Sequence, residues 1–295
     1  MLLATIGMAP CLSVAASEEA TASSASAKES GILFRAWRGD STVFLYGTVH
    51  VGAESFYPLS PRVLRPLRQA QALLVEVDLL ATDLPETFRR YGTLPADAAP
   101  LAIAESDARL VDPLLREARI DPAFARRFKP DVLAGTLGAL SAAELGFTTP
   151  YAVDSFLLGF ARAGGVRVIE LEGLKMQLTM NDALPAPRRQ AILDDTLTAL
   201  ASGRSTRAAA RLVAAWRQHD IDLLTSSDEH GTPADQQQAF LDQMAMRNAA
   251  MSRRISALGA EHQHVFAAVG VLHLPGREGL PRLLELDGYR VVRLM

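Results

Sequence analysis

Two histidines occur in the same short pattern near opposite ends of the chain. The segment FLYGTVHVG places His50 shortly after Gly47, and the segment FAAVGVLHLPG places His273 shortly after Gly270. Each begins with an apolar run typical of a buried strand, and each glycine lets the chain turn sharply because it has no Cβ. A neutral imidazole in such a place can bind a divalent metal or act as a general base. The pair therefore predicts one site that contains both histidines.

One Gly-x-x-His unit is a weak signal, because a histidine after a strand is more often a hydrogen-bonded structural residue than a ligand. The shared context makes the pair more informative, since the other four of the six histidines lie in polar or turn-like segments. His262 and His264 have the spacing of a metal motif, but they stand at the amino end of their strand. We expect these two side chains at the surface.

Charged residues interrupt two other apolar runs and one predicted helix. Glu76 lies within ALLVEVD, and Glu172 ends VRVIELE. A buried carboxylate requires a cation, a metal or several hydrogen-bond donors. Arg247 lies within the apolar stripe of a helix predicted from Pro233 to about residue 258, so an anion should meet it: Glu76, Glu172 or a substrate oxygen. A structural ion pair is an equal alternative, and the adjacent Asn248 could orient a neighbour. The stripe consists of Phe240, Met244, Met251 and Ile255.

The segment TPYAVDSFLLGFARAGG adds two weaker candidates. Asp154 is predicted to be the N-cap of a helix over 154–163 that ends at two glycines, and capping alone explains an aspartate there. Tyr151 could project its hydroxyl into a cleft or pack against the start of the helix. Both residues are candidates for substrate binding, together with Glu172 and Asn248.

The elements that must position these residues alternate between strands and helices, which predicts an α/β fold. The central sheet should be largely parallel or mixed and covered by helices, with a helix-rich cap in the middle of the chain, about 80–150. In such sheets, ligands bind at the carboxyl ends of the strands, where His50, Glu76, Glu172 and His273 all lie. Predicted strands are a hairpin over 32–47 that turns at Gly39-Asp40, then 72–78, 166–172, 264–270 and 289–294. Further predicted helices are 59–71, 107–118, 132–145 and 186–201.

Composition narrows the possible functions. The chain has 295 residues, of which 49% are hydrophobic, enough for one large domain or two closely packed ones. A net charge of -3 and a pI near 6.1 provide no basic field for phosphates, so we expect no nucleic-acid partner. The sequence contains no G-x-S-x-G, H-E-x-x-H, Walker or G-x-G-x-x-G motif after a strand. It therefore provides no motif evidence for the enzyme classes that use these motifs.

The first 30 residues differ from the rest. A short apolar run is followed by small residues and a polar low-complexity stretch, as in a secretory signal with a flexible lead-in, although a basic start is missing. We expect export to the periplasm or cell envelope and a domain over 31–295. The single cysteine, Cys11, lies in the signal-like segment, so cysteine ligands are not expected in the domain. No later stretch is long enough to predict a transmembrane span.

In order along the chain, these motifs resemble the TraB/GumN family, which includes the Tiki-type metalloproteases and is distantly related to erythromycin esterase-like and ChaN-like proteins. The resemblance covers most of the chain, from FLYGTVHVGAESFYPL through ALLVEVD, YAVDSFLL, VIELEGLKMQL and MAMRNAAMSRRI to AAVGVLHLPGREGLPRLLELDGYRV. It implies a metal-dependent peptidase or related hydrolase. Gly173 departs from the family pattern, which has a small hydroxyl residue there. Carried over, the family residues are 47–50, Glu76, Tyr151, Asp154, Glu172, Gln177, Arg247, Asn248 and 270–273.

Three hypotheses follow from the residues and the resemblance together. In the first, His50, Glu76 and His273 bind Mn, Co or Zn, which activates a water for attack on an amide or ester carbonyl, while Arg247 stabilises the oxyanion or holds a carboxylate. In the second, the hydrolase is metal-free, with His50 as the general base and Glu76 orienting it. In the third, the same cleft binds a peptide or signal without catalysis.

Overall fold

A computed structural model describes residues 29–225 and 234–295, and it has an α/β fold built on one six-stranded mixed sheet. The strand order is β4-β3-β5-β2-β1-β6. The first four strands in this order run parallel, whereas β1 is antiparallel to both β2 and β6. The predicted fold class is therefore confirmed. The strands are β1 (Ile32–Arg38), β2 (Ser41–Thr48), β3 (Ala72–Val75), β4 (Arg167–Glu170), β5 (His264–Gly270) and β6 (Arg290–Arg293).

Helices cover the sheet and fill most of the connections. Several of them begin with proline in the first turn, where its missing N–H costs nothing. Within the described residues the helices are α1 (Pro61–Gln69), α2 (Leu84–Tyr91), α3 (Glu105–Glu117), α4 (Pro122–Ala125), α5 (Pro130–Leu140), α6 (Val153–Ala163), α7 (Leu174–Thr179), α8 (Ala186–Ala201), α9 (Arg204–Arg217), α10 (Ile221–Thr225), α11 (Ala234–His262) and α12 (Leu280–Leu286). None of these helices is long and apolar enough to cross a membrane.

The predicted strands were placed correctly, but β3 and β4 end three and two residues earlier than predicted. The hairpin turns where expected, with Arg38 opposite Ser41. Strands β3 and β4 stop at Val75 and Glu170 because the chain turns there: the amides of Glu172 and Gly173 both donate to the carbonyl of Glu76, at 3.1 and 2.9 Å. Glu76 and Glu172 thus lie just beyond the hydrogen-bonded strands. Their side chains therefore need not follow the alternation between the two faces of the sheet that holds within a strand.

Two buried apolar clusters divide the interior. One surrounds the sheet, and the other joins α2, α3 and α5 to α7 and α8 through residues such as Val111, Leu133 and Leu193. The helix-rich middle is therefore present as predicted, but the cap also includes α7 and α8, which supply part of its core, whereas α6, which precedes them in the chain, packs into the cluster around the sheet.

The apolar stripe of α11 is buried along only part of its length. Met251 and Ile255 are fully buried in the cluster around the sheet, whereas Phe240 is 49% exposed. The predicted stripe is therefore buried at Met251 and Ile255, which pack into the cluster around the sheet, but not at Phe240. Pro233, where the long helix is predicted to begin, and the signal-like segment with Cys11 lie outside the described residues.

Candidate active site

The predicted polar residues meet at one edge of the sheet. His50 follows β2, Glu76 follows β3, Glu172 follows β4 and His273 follows β5, and these four strands run parallel. Their carboxyl ends therefore coincide, as the sequence predicted. Arg247 and Asn248 reach the same place from α11, and Asp154 reaches it from the first turn of α6.

Glu76 is the centre of the cluster and is only 6% exposed. Its Oε1 accepts the backbone N–H of Gly270 at 2.6 Å, and its Oε2 accepts hydrogen bonds from Arg247 at 2.7 Å and from Gln177 at 3.1 Å. Burial alone would raise the pKa of Glu76, but His273, His50 and Arg247 outweigh it and hold this pKa well below its ordinary 4.5. The carboxylate is thus kept ionised in the interior.

Arg247 bridges Glu76 to a second buried carboxylate. Its Nε and Nη2 donate to the two oxygens of Glu172, each at 2.8 Å, in a bidentate pair. The Glu172 side chain is only 2% exposed. Gln177 reinforces the bridge by donating to Glu172 at 2.8 Å as well as to Glu76. Here Arg247 holds the carboxylates in place, which is one of the two roles predicted for it.

His50 is paired with Asp154 instead of standing alone. Its Nδ1 lies 2.6 Å from Oδ2 of Asp154. Burial lowers the pKa of His50, but the Asp154 carboxylate and Glu76 more than offset this, so the pKa lies above its ordinary 6.5. The prediction that Asp154 is an N-cap was wrong: α6 begins at Val153, the capping position is Ala152, and the aspartate lies one residue inside the helix.

His273 is buried and paired with Asn248. Its Nδ1 lies 2.5 Å from Oδ1 of the amide, while Nδ2 of the same amide donates to the carbonyl of Glu278 at 2.6 Å. The other ring nitrogen, Nε2, faces Oε1 of Glu76 at 3.6 Å. Asn248 thus orients a neighbour, as its position beside Arg247 suggested.

The space beside Gly270 is where these side chains converge. A Cβ added to this glycine would lie 3.2 Å from Oε1 of Glu76, 3.4 Å from Nε2 of His50 and 3.7 Å from Cδ2 of His273. The backbone of Gly270, with φ -51°, is open to any residue, so the glycine serves here to leave this space free of a Cβ. The two histidines and Glu76 form one group, as predicted from the paired motifs.

Tyr151 is placed differently from the other candidates. Its side chain is 38% exposed, and its backbone carbonyl accepts a hydrogen bond from the Tyr57 hydroxyl at 2.8 Å. The contacts of this region link Tyr57 to the start of α6, and they help to fix the segment that carries Asp154. Spacing alone gave no signal for Tyr57 or Gln177; the latter was indicated only by the family resemblance.

Buried polar atoms without a partner are concentrated near the site. The described residues contain five such side-chain atoms. Two of them, Oδ1 of Asp154 and Oε1 of Gln177, belong to residues that bind the cluster directly, and a third, Oγ1 of Thr48, belongs to a residue two positions before His50 in the sequence. Most buried polar groups in proteins are hydrogen-bonded. This concentration is typical of a site that is completed by water, an ion or a ligand.

The donor chemistry of the group suits a divalent metal. Both histidines have Nδ1 engaged by an oxygen acceptor, which leaves Nε2 for a ligand, and Glu76 adds a carboxylate oxygen. Gly270 leaves the space between them free of a Cβ. Within residues 29–225 and 234–295, however, no three His, Cys, Asp or Glu side chains lie close enough together to hold a metal ion in the conformation that the structure shows. Metal binding would require them to draw together.

A cavity of about 260 Å³ adjoins the cluster at Glu172 and Gly173. It extends along the end of β4 and the starts of α2 and α7, where Glu170, Asp83 and Lys175 respectively contribute charged groups. Glu172 therefore belongs both to the buried cluster and to the lining of this cavity.

Comparison with known proteins agrees with the order of motifs. The model of the TraB/PrgY/gumN family matches residues 32–293. A relative called uncharacterized protein YbaP, from Escherichia coli strain K12, is 31% identical over 249 residues, covering 84% of this chain and 89% of the relative. The Shigella flexneri protein of the same name matches with the same identity and coverage. No solved structure matches the chain. With its two Gly-x-x-His units and strand-end glutamate inside the matched range, this chain belongs to the TraB/PrgY/gumN family.

Proposed function

We propose that this protein is a metal-dependent hydrolase that cleaves an amide or ester bond with an activated water. The observation that carries the proposal is the convergence of His50, Glu76 and His273 beside Gly270, with both imidazoles presenting Nε2. A divalent metal such as Mn, Co or Zn, bound by these three residues, would supply the Lewis acidity that lowers the pKa of water and polarises a carbonyl.

The charge of the buried cluster supports a cationic occupant. The cluster contains three carboxylates but one guanidinium: Arg247 pairs with Glu76 and Glu172, and Asp154 pairs with His50. When both histidines are neutral, as metal ligation requires, the group has an excess of negative charge, which protonation of His50 alone, whose pKa is raised, would only partly offset. Uncompensated charge is costly in a buried place, and a divalent cation would offset it.

The other residues of the cluster have defined tasks in this proposal. Arg247 and Gln177 keep Glu76 fixed and ionised. Glu172 keeps Arg247 in place through the bidentate pair. The cavity beside Glu172 offers room for part of a peptide or of a small ester or amide.

A metal-free hydrolase is the second candidate, and the number of hydrogen bonds that Glu76 already accepts favours it. Three donors already occupy the two oxygens of this carboxylate. In this version His50 takes a proton from water, and Glu76 stabilises the resulting imidazolium. The raised pKa of His50 suits such a group, since its protonated form is favoured.

Cleavage of a peptide library, followed by mass spectrometry, tests the proposal. The protein is first stripped with EDTA and then assayed without metal and with Mn, Co or Zn. Metal dependence predicts new peptide termini only in the metal-loaded samples, and cleavage that survives chelation favours the second candidate.

The test variant is His273→Ala, and its control is His264→Ala, which changes an exposed histidine at the opposite end of β5. The proposal predicts that cleavage is lost only in the first variant. If wild type binds peptides of the library but generates no termini under any condition, the protein is a non-catalytic binder and the proposal is wrong.

A further inference from the structure

The two histidines of the site differ in the partner that holds them. Nδ1 of His50 faces a carboxylate oxygen of Asp154 at 2.6 Å, and Nδ1 of His273 faces an amide oxygen of Asn248 at 2.5 Å. One partner is charged and the other is neutral. The two imidazoles are therefore alike in geometry and unlike in their electrostatic surroundings.

The tautomer of each neutral ring follows from its partner. An ionised carboxylate only accepts hydrogen bonds, so Nδ1 of His50 must carry the hydrogen. For His273 the amide could in principle face either way, but Nδ2 of Asn248 donates to the Glu278 carbonyl at 2.6 Å. This contact fixes Oδ1 toward the ring, so Nδ1 of His273 also carries the hydrogen.

The consequence is that both Nε2 atoms present a lone pair in the neutral state. Nε2 of His50 lies 3.4 Å from the Cβ position of Gly270, and Nε2 of His273 lies 3.6 Å from Oε1 of Glu76. A carboxylate that accepts the Nδ1 hydrogen raises the electron density at Nε2 and strengthens the ring as a ligand or base. A neutral amide orients the ring with a smaller electronic effect.

We infer that Asp154 is the positioning residue of His50 and Asn248 that of His273, and that the charge of Asp154 makes His50 the stronger donor of the pair. The inference rests on the proposed function for the use of the donor, but the tautomers are a property of the protein alone. The sequence had suggested helix capping or substrate binding for Asp154. The inference gives this residue a different role, which is to orient His50.

Nitrogen NMR of the imidazoles in the metal-free protein provides the first test. Long-range proton–nitrogen spectra distinguish a hydrogen on Nδ1 from one on Nε2. The inference predicts the Nδ1–H form for the neutral rings of both His50 and His273 in wild type. An Nε2–H form at His50 overturns it without any variant.

Reciprocal variants provide the second test. Asp154→Asn removes the charge and keeps the shape, but its amide can turn its NH2 toward the ring and so favour the other tautomer. We expect the single tautomer of His50 to be lost and Zn²⁺ affinity, measured by calorimetry, to fall about 10–100-fold. Asn248→Asp keeps an acceptor for the Nδ1 hydrogen of His273 but loses the donor to the Glu278 carbonyl, so it should keep the His273 tautomer and lose less Zn²⁺ affinity than Asp154→Asn.

Asp287→Asn is the matched control, because Asp287 accepts from two serine hydroxyls away from the site. It should leave both imidazole spectra and Zn²⁺ affinity unchanged. Wild-type tautomer and affinity in Asp154→Asn would overturn the inference, and so would an equal loss of affinity in Asn248→Asp. If wild type binds no Zn²⁺, the metal proposal fails, while the tautomer spectra still decide the positioning roles.

Discussion

Glu76→Gln changes the charge at the centre of the cluster with little change in shape. The native carboxylate accepts from Gly270 through one oxygen and from Arg247 and Gln177 through the other. A glutamine has only one oxygen. If that oxygen stays with Arg247 and Gln177, its NH2 group faces the Gly270 N–H, which is left without an acceptor.

The magnitude follows from these contacts. An unpaired buried N–H costs about 1–3 kcal/mol, and the loss of a charge-assisted bond adds about 1 kcal/mol. Because Arg247 keeps its bidentate pair with Glu172, the variant should still fold, with a free energy of unfolding lower by about 2–4 kcal/mol. For a domain of this size that corresponds to a melting temperature lower by roughly 4–16 °C.

The loss of metal affinity or turnover in Glu76→Gln should be larger, as a fraction of the wild-type value, than the loss of stability. Removing a ligand or orienting carboxylate should reduce metal affinity or turnover by on the order of tenfold or more. The assay is thermal melting with and without Mn²⁺, combined with calorimetry and with the library cleavage assay. Asp195→Asn is the control, because Asp195 is a carboxylate paired with an arginine, Arg204, outside the cluster and the cavity lining; it should leave metal affinity and cleavage unchanged. A Glu76→Gln protein that melts lower yet retains full metal affinity and activity would show that Glu76 is only a structural carboxylate.

Three further predictions concern the same cluster. Arg247→Met should lower the free energy of unfolding at pH 7 by about 3–5 kcal/mol, because Glu76 and Glu172 lose their buried cation. Urea unfolding measures this loss, and a value below about 1 kcal/mol would contradict the ion-pair network. Gly270→Ala should reduce metal affinity more than stability, because the new Cβ comes 3.2 Å from Glu76 and 3.4 Å from His50; an unchanged calorimetric titration would disagree. The pKa of His50 is raised in the fold, so the extra stability of metal-free wild type over His50→Gln should be full below the ordinary pKa of 6.5 and lost as pH rises through the folded value. Denaturant titrations at several pH values check this, and an advantage that grows with pH would refute it.

The positions of the main site residues could be predicted because they depend on local patterns. Apolar runs of strand length ended near His50, Glu76 and His273, and parallel strands bring their carboxyl ends together. An arginine inside an apolar stripe similarly required an anionic partner, and Glu76 and Glu172 are both in contact with it. Periodicity and burial were sufficient for these residues.

The pairing of Asp154 with His50 could not be predicted in the same way. An aspartate between a loop and an apolar helix has the local pattern of an N-cap, and its actual partner is 104 residues away in the sequence. The same reason applies to Gln177, whose bonds to Glu76 and Glu172 depend on how α7 is placed after β4. No linear spacing encodes these contacts.

The extent of the cap and the ends of β3 and β4 were also beyond sequence reasoning. The cap includes α7 and α8 because their apolar faces complete a second core, and amphipathic spacing alone does not say which core a helix joins. The two strands end where two amides converge on the carbonyl of Glu76, although the apolar run continues to Val77.

Calorimetric titration of the EDTA-treated protein with Mn²⁺, Co²⁺ and Zn²⁺ tests the metal site most directly. The proposal predicts binding of one ion per chain to wild type, strong weakening in His50→Ala and His273→Ala, and unchanged binding in His264→Ala. Absence of binding to wild type, or equal binding by His50→Ala, would contradict a metal site formed by the two Gly-x-x-His units.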